Sequence, residues 1–169
     1  MKIQKFSKVV WFTGLSGSGK TTLSKKLSNR LKKKKLKVFS IDGDTFRRKS
    51  NNKKFNKQSI IRNNYQIIDF IKKIYNKYDY ILVSVISPLL KTRKKAKKIF
   101  KKNYIEIYVK CNSKILKKRD TKGLYNLIKL NKLKNLIGFN SKISYEKSNY
   151  KVIVIDTGIL SISKSLLKI

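Results

Sequence analysis

The residues with the clearest chemical potential form one stretch, Gly14-Leu15-Ser16-Gly17-Ser18-Gly19-Lys20-Thr21, which satisfies the phosphate-binding pattern G-x-x-x-x-G-K-[ST]. Gly14, Gly17 and Gly19 let the backbone turn tightly, so that N–H groups along Ser16 to Gly19 converge on one phosphate. The helix that follows, opening at Thr21 and Thr22, adds its N-terminal dipole. Lys20 is placed to reach the terminal phosphates and Thr21 to bind magnesium, so the pattern predicts a nucleoside triphosphate held with Mg2+. An ordinary Gly/Ser turn before a helix requires neither Lys20 nor Thr21.

Further along, Ile41-Asp42-Gly43-Asp44 closes an apolar run and leads into Thr45-Phe46-Arg47. A carboxylate at the carboxyl end of a parallel strand orders magnesium waters or orients a hydroxyl, and Arg47 offers an anion partner nearby. The competing reading is an Asp-Gly turn that caps the next segment. The run Tyr80 to Ile86 ends in Ser87-Pro88, not in the aspartate that ATPases and GTPases carry there. Asn76-Lys77-Tyr78-Asp79 matches the N-K-x-D guanine pattern but precedes a strand instead of following one, and reads as coincidence.

These groups need a scaffold, and the hydrophobic pattern supplies one. Strands are expected at Val9 to Thr13, Val38 to Ile41, Tyr80 to Ile86, Tyr104 to Val109 and Val152 to Ile155. Helices are expected at Thr21 to Lys32, Ser59 to Tyr75, Thr92 to Lys101, Lys114 to Lys118, Leu124 to Leu130 and Ser161 to Leu167. Strands interleaved with helices predict an α/β fold with a five-stranded parallel sheet between helical layers. With 169 residues and 40% hydrophobic composition, one domain over 1–169 is expected.

Composition excludes several classes of chemistry. There is no histidine and a single cysteine, Cys111, so a histidine triad, a histidine-ligated zinc and an intramolecular disulfide are ruled out. The lone thiol and the lack of an apolar leader point to the cytoplasm, and no apolar run approaches a membrane span. The formal charge of +36, from 44 Lys+Arg against 8 Asp+Glu, would by itself suggest nucleic acid. Lysine is spread along the whole chain instead of being confined to one stripe, which favours a drifted surface and no specific nucleic-acid partner.

Taken together, the ordered motifs resemble the adenylyl-sulfate kinases, P-loop enzymes that phosphorylate the 3′-hydroxyl of adenosine 5′-phosphosulfate. The resemblance spans nearly the whole chain. It rests on Gly14 to Thr22, on Asp42 to Arg47, on Ile86-Ser87-Pro88 with Arg93 beyond, and on Tyr104 to Val109. It rests also on Arg119-Asp120-Thr121-Lys122-Gly123-Leu124-Tyr125, on Gly138 with Tyr145-Glu146, and on Ile155-Asp156-Thr157. It implies a three-layer P-loop kinase fold with a helical lid, ATP and Mg2+ as the donor pair, adenylyl sulfate as acceptor, and a homodimer. Its substrate positions fall on Asp44, Arg47, Phe55, Asn63, Ile86, Ser87 and Lys122, with Phe55 stacking on the adenine and Arg47 on the phosphosulfate. Arg119 falls beside the ATP adenine or phosphates. Lys20, Asp44, Ser87 and Lys122 are the implied catalytic set, and Thr21 with Asp44 the implied magnesium set. The serine matching Ser87 carries a phosphoserine label in the family, although in-line transfer needs no covalent intermediate.

Tyr65 and Gln66 stand where the family has further arginines, and two other positions depart from its pattern. Ile60 stands where an arginine is usual, and Leu136 where the family has the phenylalanine of its F-T-G run. Both leave room for a relative that phosphorylates another nucleotide-linked acid, such as a cytidine-diphosphate derivative. A basic nucleic-acid-binding P-loop protein and a regulatory domain without turnover are the more distant alternatives.

Overall fold

The computed structural model describes residues 6–49 and 56–169. Five apolar runs form strands β1 (Lys8–Thr13), β2 (Val38–Asp42), β3 (Tyr80–Ser84), β4 (Tyr104–Lys110) and β5 (Ile153–Asp156). They pair in parallel in the order β2-β3-β1-β4-β5. The helices are α1 (Lys20–Lys33), α2 (Gly43–Lys49), α3 (Lys57–Ile74), α4 (Leu90–Phe100), α5 (Ser113–Arg119), α6 (Leu124–Lys129) and α7 (Ile162–Leu167). This is the α/β P-loop kinase architecture expected from the alternation of patterns.

Strand parity sorts the core into two layers. Val9 and Trp11 of β1 and Ile81 and Val83 of β3 pack against Ile67, Ile68 and Ile71 of α3 and Ala96 and Phe100 of α4. Val10, Phe12, Leu82 and Ile107 point to the opposite face, against Leu23 and Leu27 of α1. Because both faces are covered, β1 reads as continuous apolar sequence. Trp11, Phe12, Ile81 and Leu82 are all fully buried, each contributing about 1.5–3 kcal/mol. Among the described residues no helix is long and apolar enough to cross a membrane.

Three boundaries differ from expectation for physical reasons. β3 ends at Ser84 instead of Ile86: Val85 N–H still makes a ladder bond to Phe12 O (3.1 Å), but the chain then turns away, with Ser87 at a positive φ of 42°. α3 starts earlier than Ser59, since Asn56 accepts from the Ser59 N–H at 2.8 Å and caps the helix. α2 occupies Gly43–Lys49, where no helix was expected.

The chain leaves β1 toward β2 and β3 on one side and later crosses to β4 and β5 on the other. That reversal opens a crevice at the carboxyl ends of the strands. The P-loop fills it, and α5 and α6 lie over it. The Tyr125 hydroxyl of α6 donates to Ser16 O at 2.7 Å, and burial pushes this phenol up to about 12, so it remains a donor at neutral pH.

Candidate active site

The P-loop runs from the end of β1 into α1. Gly14 lies so close to β4 that a Cβ there would sit 2.3 Å from Val109 O, and its φ of 143° is accessible to glycine. Gly19, with φ 96°, is the N-cap of α1 and contributes no side chain to the cap, which leaves the backbone amides free to face an anion. Lys20 is 9% exposed and donates to Leu15 O at 2.7 Å across the loop. Burial, reinforced by the nearby Lys122 charge and partly offset by Asp44 and Asp42, pulls its amine down to about 7. Phosphates bound on the loop would add negative charge beside this enclosed amine, beyond that of Asp44 and Asp42.

The Thr21 hydroxyl donates to Asp42 Oδ2 at 2.9 Å. The other oxygen of Asp42 accepts from the N–H groups of Asp44 (3.1 Å) and Thr45 (3.2 Å), so one carboxylate both orients the P-loop threonine and opens α2. Asp44, the first acidic residue of α2, pairs instead with the Lys122 ammonium. Burial alone would raise the Asp44 carboxyl, but its hydrogen bond to Lys122 and the charges of Lys122, Lys20 and Arg47 outweigh this and hold it below the usual aspartate value. The sequence placed the metal set on Thr21 and Asp44; the structure brings Asp42 to Thr21 and Asp44 to Lys122. Asp42 was visible only as part of Asp42-Gly43-Asp44, and its nearness to Thr21 follows from β2 ending beside α1. A hydroxyl and two carboxylates facing a phosphate site form a hard-oxygen set of the kind Mg2+ takes, alongside waters and phosphate oxygens.

Two cavities meet at this point. The first, about 420 Å³, runs along Gly17, Gly19, Lys20 and Thr22 to Arg119, Thr157 and the start of α7. The second, about 950 Å³, extends the other way past Thr45, Arg47 and Arg48 to Leu124, Leu133 and Leu136. Ser16, Thr21, Asp42, Asp44, Ile86 and Lys122 line both. A donor phosphate lying on the P-loop and an acceptor in the second cavity would therefore meet between Lys20, Asp44 and Lys122. Arg119 closes the far end of the first cavity, its Nη2 donating to Thr157 O at 2.5 Å, while the Thr157 hydroxyl donates to Ser18 O at 2.8 Å. Thr157, absent from the residues assigned from sequence, ties β5 to the P-loop.

Other candidates lie elsewhere. Ser87 is 1% exposed and lines neither cavity; its hydroxyl faces the Thr92 hydroxyl at 3.2 Å and its carbonyl accepts from Arg93 at 2.5 Å. The Ser87 hydroxyl is thus packed away from both cavities, and what this turn presents to them is Ile86. Arg93 is fully buried, paired with Glu106 at 3.1 Å and bonded to the Glu146 carbonyl, so it fixes the Ser87 turn from behind. Asn63 is also fully buried, with no hydrogen-bond partner for its carboxamide among the described residues. Phe55 lies outside the described residues. Ile60 sits in an apolar cluster with Leu89 and Ile137. Leu136 forms part of the wall of the second cavity and packs with Leu116 and Tyr125.

Comparison with known proteins agrees with this geometry. A family model described as adenylylsulphate kinase matches residues 6–156. The adenylyl-sulfate kinase of Prochlorococcus marinus is 36% identical over 160 residues, spanning 94% of this chain and 79% of that protein. The probable adenylyl-sulfate kinase of Archaeoglobus fulgidus is 34% identical over 150 residues, covering 88% of this chain and 95% of its own. Among solved structures, the Mycobacterium tuberculosis APS kinase in complex with AMPPNP and APS superposes with a TM-score of 0.87 at 25% identity, over 96% of this chain and 95% of that one.

Proposed function

The chain belongs to the adenylylsulphate kinase family, and we infer that it transfers the γ-phosphoryl group of ATP to the 3′-hydroxyl of adenosine 5′-phosphosulfate. The products are ADP and 3′-phosphoadenylyl sulfate. The observation that carries this reading is the meeting of two cavities on Thr21, Asp42, Asp44 and Lys122, one on the P-loop and one on the α2 side. A kinase needs such a junction, because the donor phosphoryl and the acceptor oxygen must lie in line without water between them.

In this mechanism the P-loop amides and Lys20 hold the β- and γ-phosphates and stabilise the charge that spreads over the transferred group. Mg2+, when bound, neutralises the phosphate oxygens; Thr21, with Asp42 behind it and Asp44 facing it, is the set that would hold it. Asp44 is ionised at neutral pH and accepts a hydrogen bond from the acceptor hydroxyl. Its low pKa makes it a weak base, so it orients the hydroxyl first and takes the proton late, as a loose transition state permits. Lys122 pairs with Asp44 before substrate arrives and turns to the phosphoryl oxygens once the acceptor hydroxyl occupies Asp44. Arg119 and Thr157 close over the nucleoside of ATP. Arg47, Asn63 and Leu136 belong to the acceptor side in the same reading, as does Phe55. A homodimer is carried over from the family resemblance alone, and a cytoplasmic location suits the lone Cys111.

ADP release from MgATP, measured with adenylyl sulfate, with a cytidine-diphosphate-linked acceptor and with no acceptor, tests this function. Release that depends on adenylyl sulfate and disappears in Lys20→Ala is the expected result. Release driven by the cytidine compound alone would overturn it.

A further inference from the structure

We propose that Lys25 of α1 and Arg48 of α2 form, beside Arg47, a cationic wall that holds the anionic group of the nucleotide acceptor. This inference rests on the kinase reading above and names residues outside the motifs that led to it. Lys25 lies four residues beyond Thr21, and Arg48 four beyond Asp44. Residues so spaced share a helix face about one 5.4 Å turn apart. The two helices therefore run outward from the transfer point, and each carries a cation one turn on. A ribose spans a similar gap between its 3′-hydroxyl and its 5′-anionic group.

The charges of the acceptor cavity point the same way. Its lining includes Lys25, Arg47, Arg48, Lys122 and Lys134 against Asp42 and Asp44. Asp44 is taken by Lys122, and Asp42 by Thr21 and the first amides of α2. Neither Lys25 nor Arg48 has an ion-pair partner among the described residues. Across the same cavity Ile86, Leu124, Leu133 and Leu136 offer an apolar surface for a base. Neither Lys25 nor Arg48 lines the donor cavity, so the wall acts on the acceptor alone. It also gives the acceptor cavity positive charge although Ile60 is enclosed in apolar packing.

The test measures KM for adenylyl sulfate and for MgATP separately in wild type, Lys25→Ala, Arg48→Ala and the double variant. Lys26→Ala serves as the control for net charge, since Lys26 is an exposed α1 residue that lines neither cavity. Each single variant is expected to raise the adenylyl-sulfate KM about 3–5-fold, the range of one exposed ion pair, and the double variant about 10-fold or more. KM for MgATP and kcat stay within about two-fold, and the effect fades near ~1 M salt, where screening shortens to ~3 Å. Acceptor KM values no higher than those of Lys26→Ala, or an equal rise in KM for MgATP, would overturn the proposal. Should wild type show no acceptor-dependent ADP release, the kinase reading falls. The wall is then judged by calorimetric binding of adenosine 5′-monophosphate with ADP saturating the P-loop: the same loss in the double variant is expected, and its absence overturns the proposal.

Discussion

Replacing Asp42 by alanine and, separately, by asparagine separates two jobs that one carboxylate does in this structure. Oδ1 accepts from the amides of Asp44 and Thr45 and so caps α2, while Oδ2 accepts from the Thr21 hydroxyl. Alanine removes both, and loss of an N-cap costs about 0.5–2 kcal/mol. For a chain of 169 residues that is a fall in Tm of roughly 1–8 °C. Asparagine retains a cap oxygen, so its Tm should stay within about 2 °C of wild type. Both variants lose the charged acceptor behind Thr21, and a hydrogen bond to a charged group contributes about 1.5–3 kcal/mol. If that interaction acts at the transition state, kcat falls about 10- to 150-fold in both, and the Mg2+ concentration giving half-maximal rate rises. Differential scanning fluorimetry and ADP-release assays across a Mg2+ titration read the two effects independently. Asp44→Asn is the comparison: it lowers kcat and also raises the Mg2+ midpoint, because Asp44 faces the same position, but it leaves the Asp42 cap of α2 intact and so the Tm near wild type. An Asp42→Asn enzyme with wild-type rate and Mg2+ dependence would refute the role given to Asp42, as would a Mg2+ shift confined to Asp44→Asn.

Three further outcomes follow from other contacts. Since Lys20 titrates near 7 in the free protein, MgATP binding at pH 8 should take up close to one proton and at pH 6 almost none, read by calorimetry in buffers of different ionisation enthalpy. The sign for stability is that of a carboxylate with a lowered pKa: the unfolded chain binds the extra proton between about 7 and 10.5, so the cost of enclosing this ammonium in the free protein is relieved as pH rises through that window. Tyr125→Phe removes the donor to Ser16 O and should cost about 1 kcal/mol and lower Tm by roughly 2–4 °C, with α6 still packed through the Tyr125–Phe139 ring contact. Arg93→Met leaves Glu106 buried without its guanidinium and should cost about 3–5 kcal/mol, whereas adding Glu106→Gln should recover part of that loss in denaturant titrations.

Much of the scaffold was legible before any coordinates because burial on both sheet faces leaves a plain trace. β1, β2, β3, β4 and β5 all lie within a few residues of the apolar runs that predicted them. The P-loop was legible for a similar reason, since phosphate binding demands glycines, a lysine and a threonine at set spacing. α2 was missed because its seven residues, Gly43–Lys49, show no apolar periodicity; the helix is held by the Asp42 cap and by its place beside β2. The surroundings of Ser87 were not legible, because the motif shows only a hydroxyl, whereas the chain turns there with a positive φ and buries that hydroxyl against Thr92.

Local pattern thus determined which elements form, which loop takes phosphate and which family the chain resembles, because periodicity, turn chemistry and motif spacing are properties of neighbours along the chain. Tertiary structure decided which carboxylate meets Thr21, which cation meets Asp44, and that Lys25 and Arg48 share a cavity with Leu136. Those pairings join residues from different elements. Nothing in the spacing of Thr21 and Asp42, or of Asp44 and Lys122, encodes their approach; it follows from strand order, which brings the ends of β1 and β2 and the turn before α6 to one edge of the sheet.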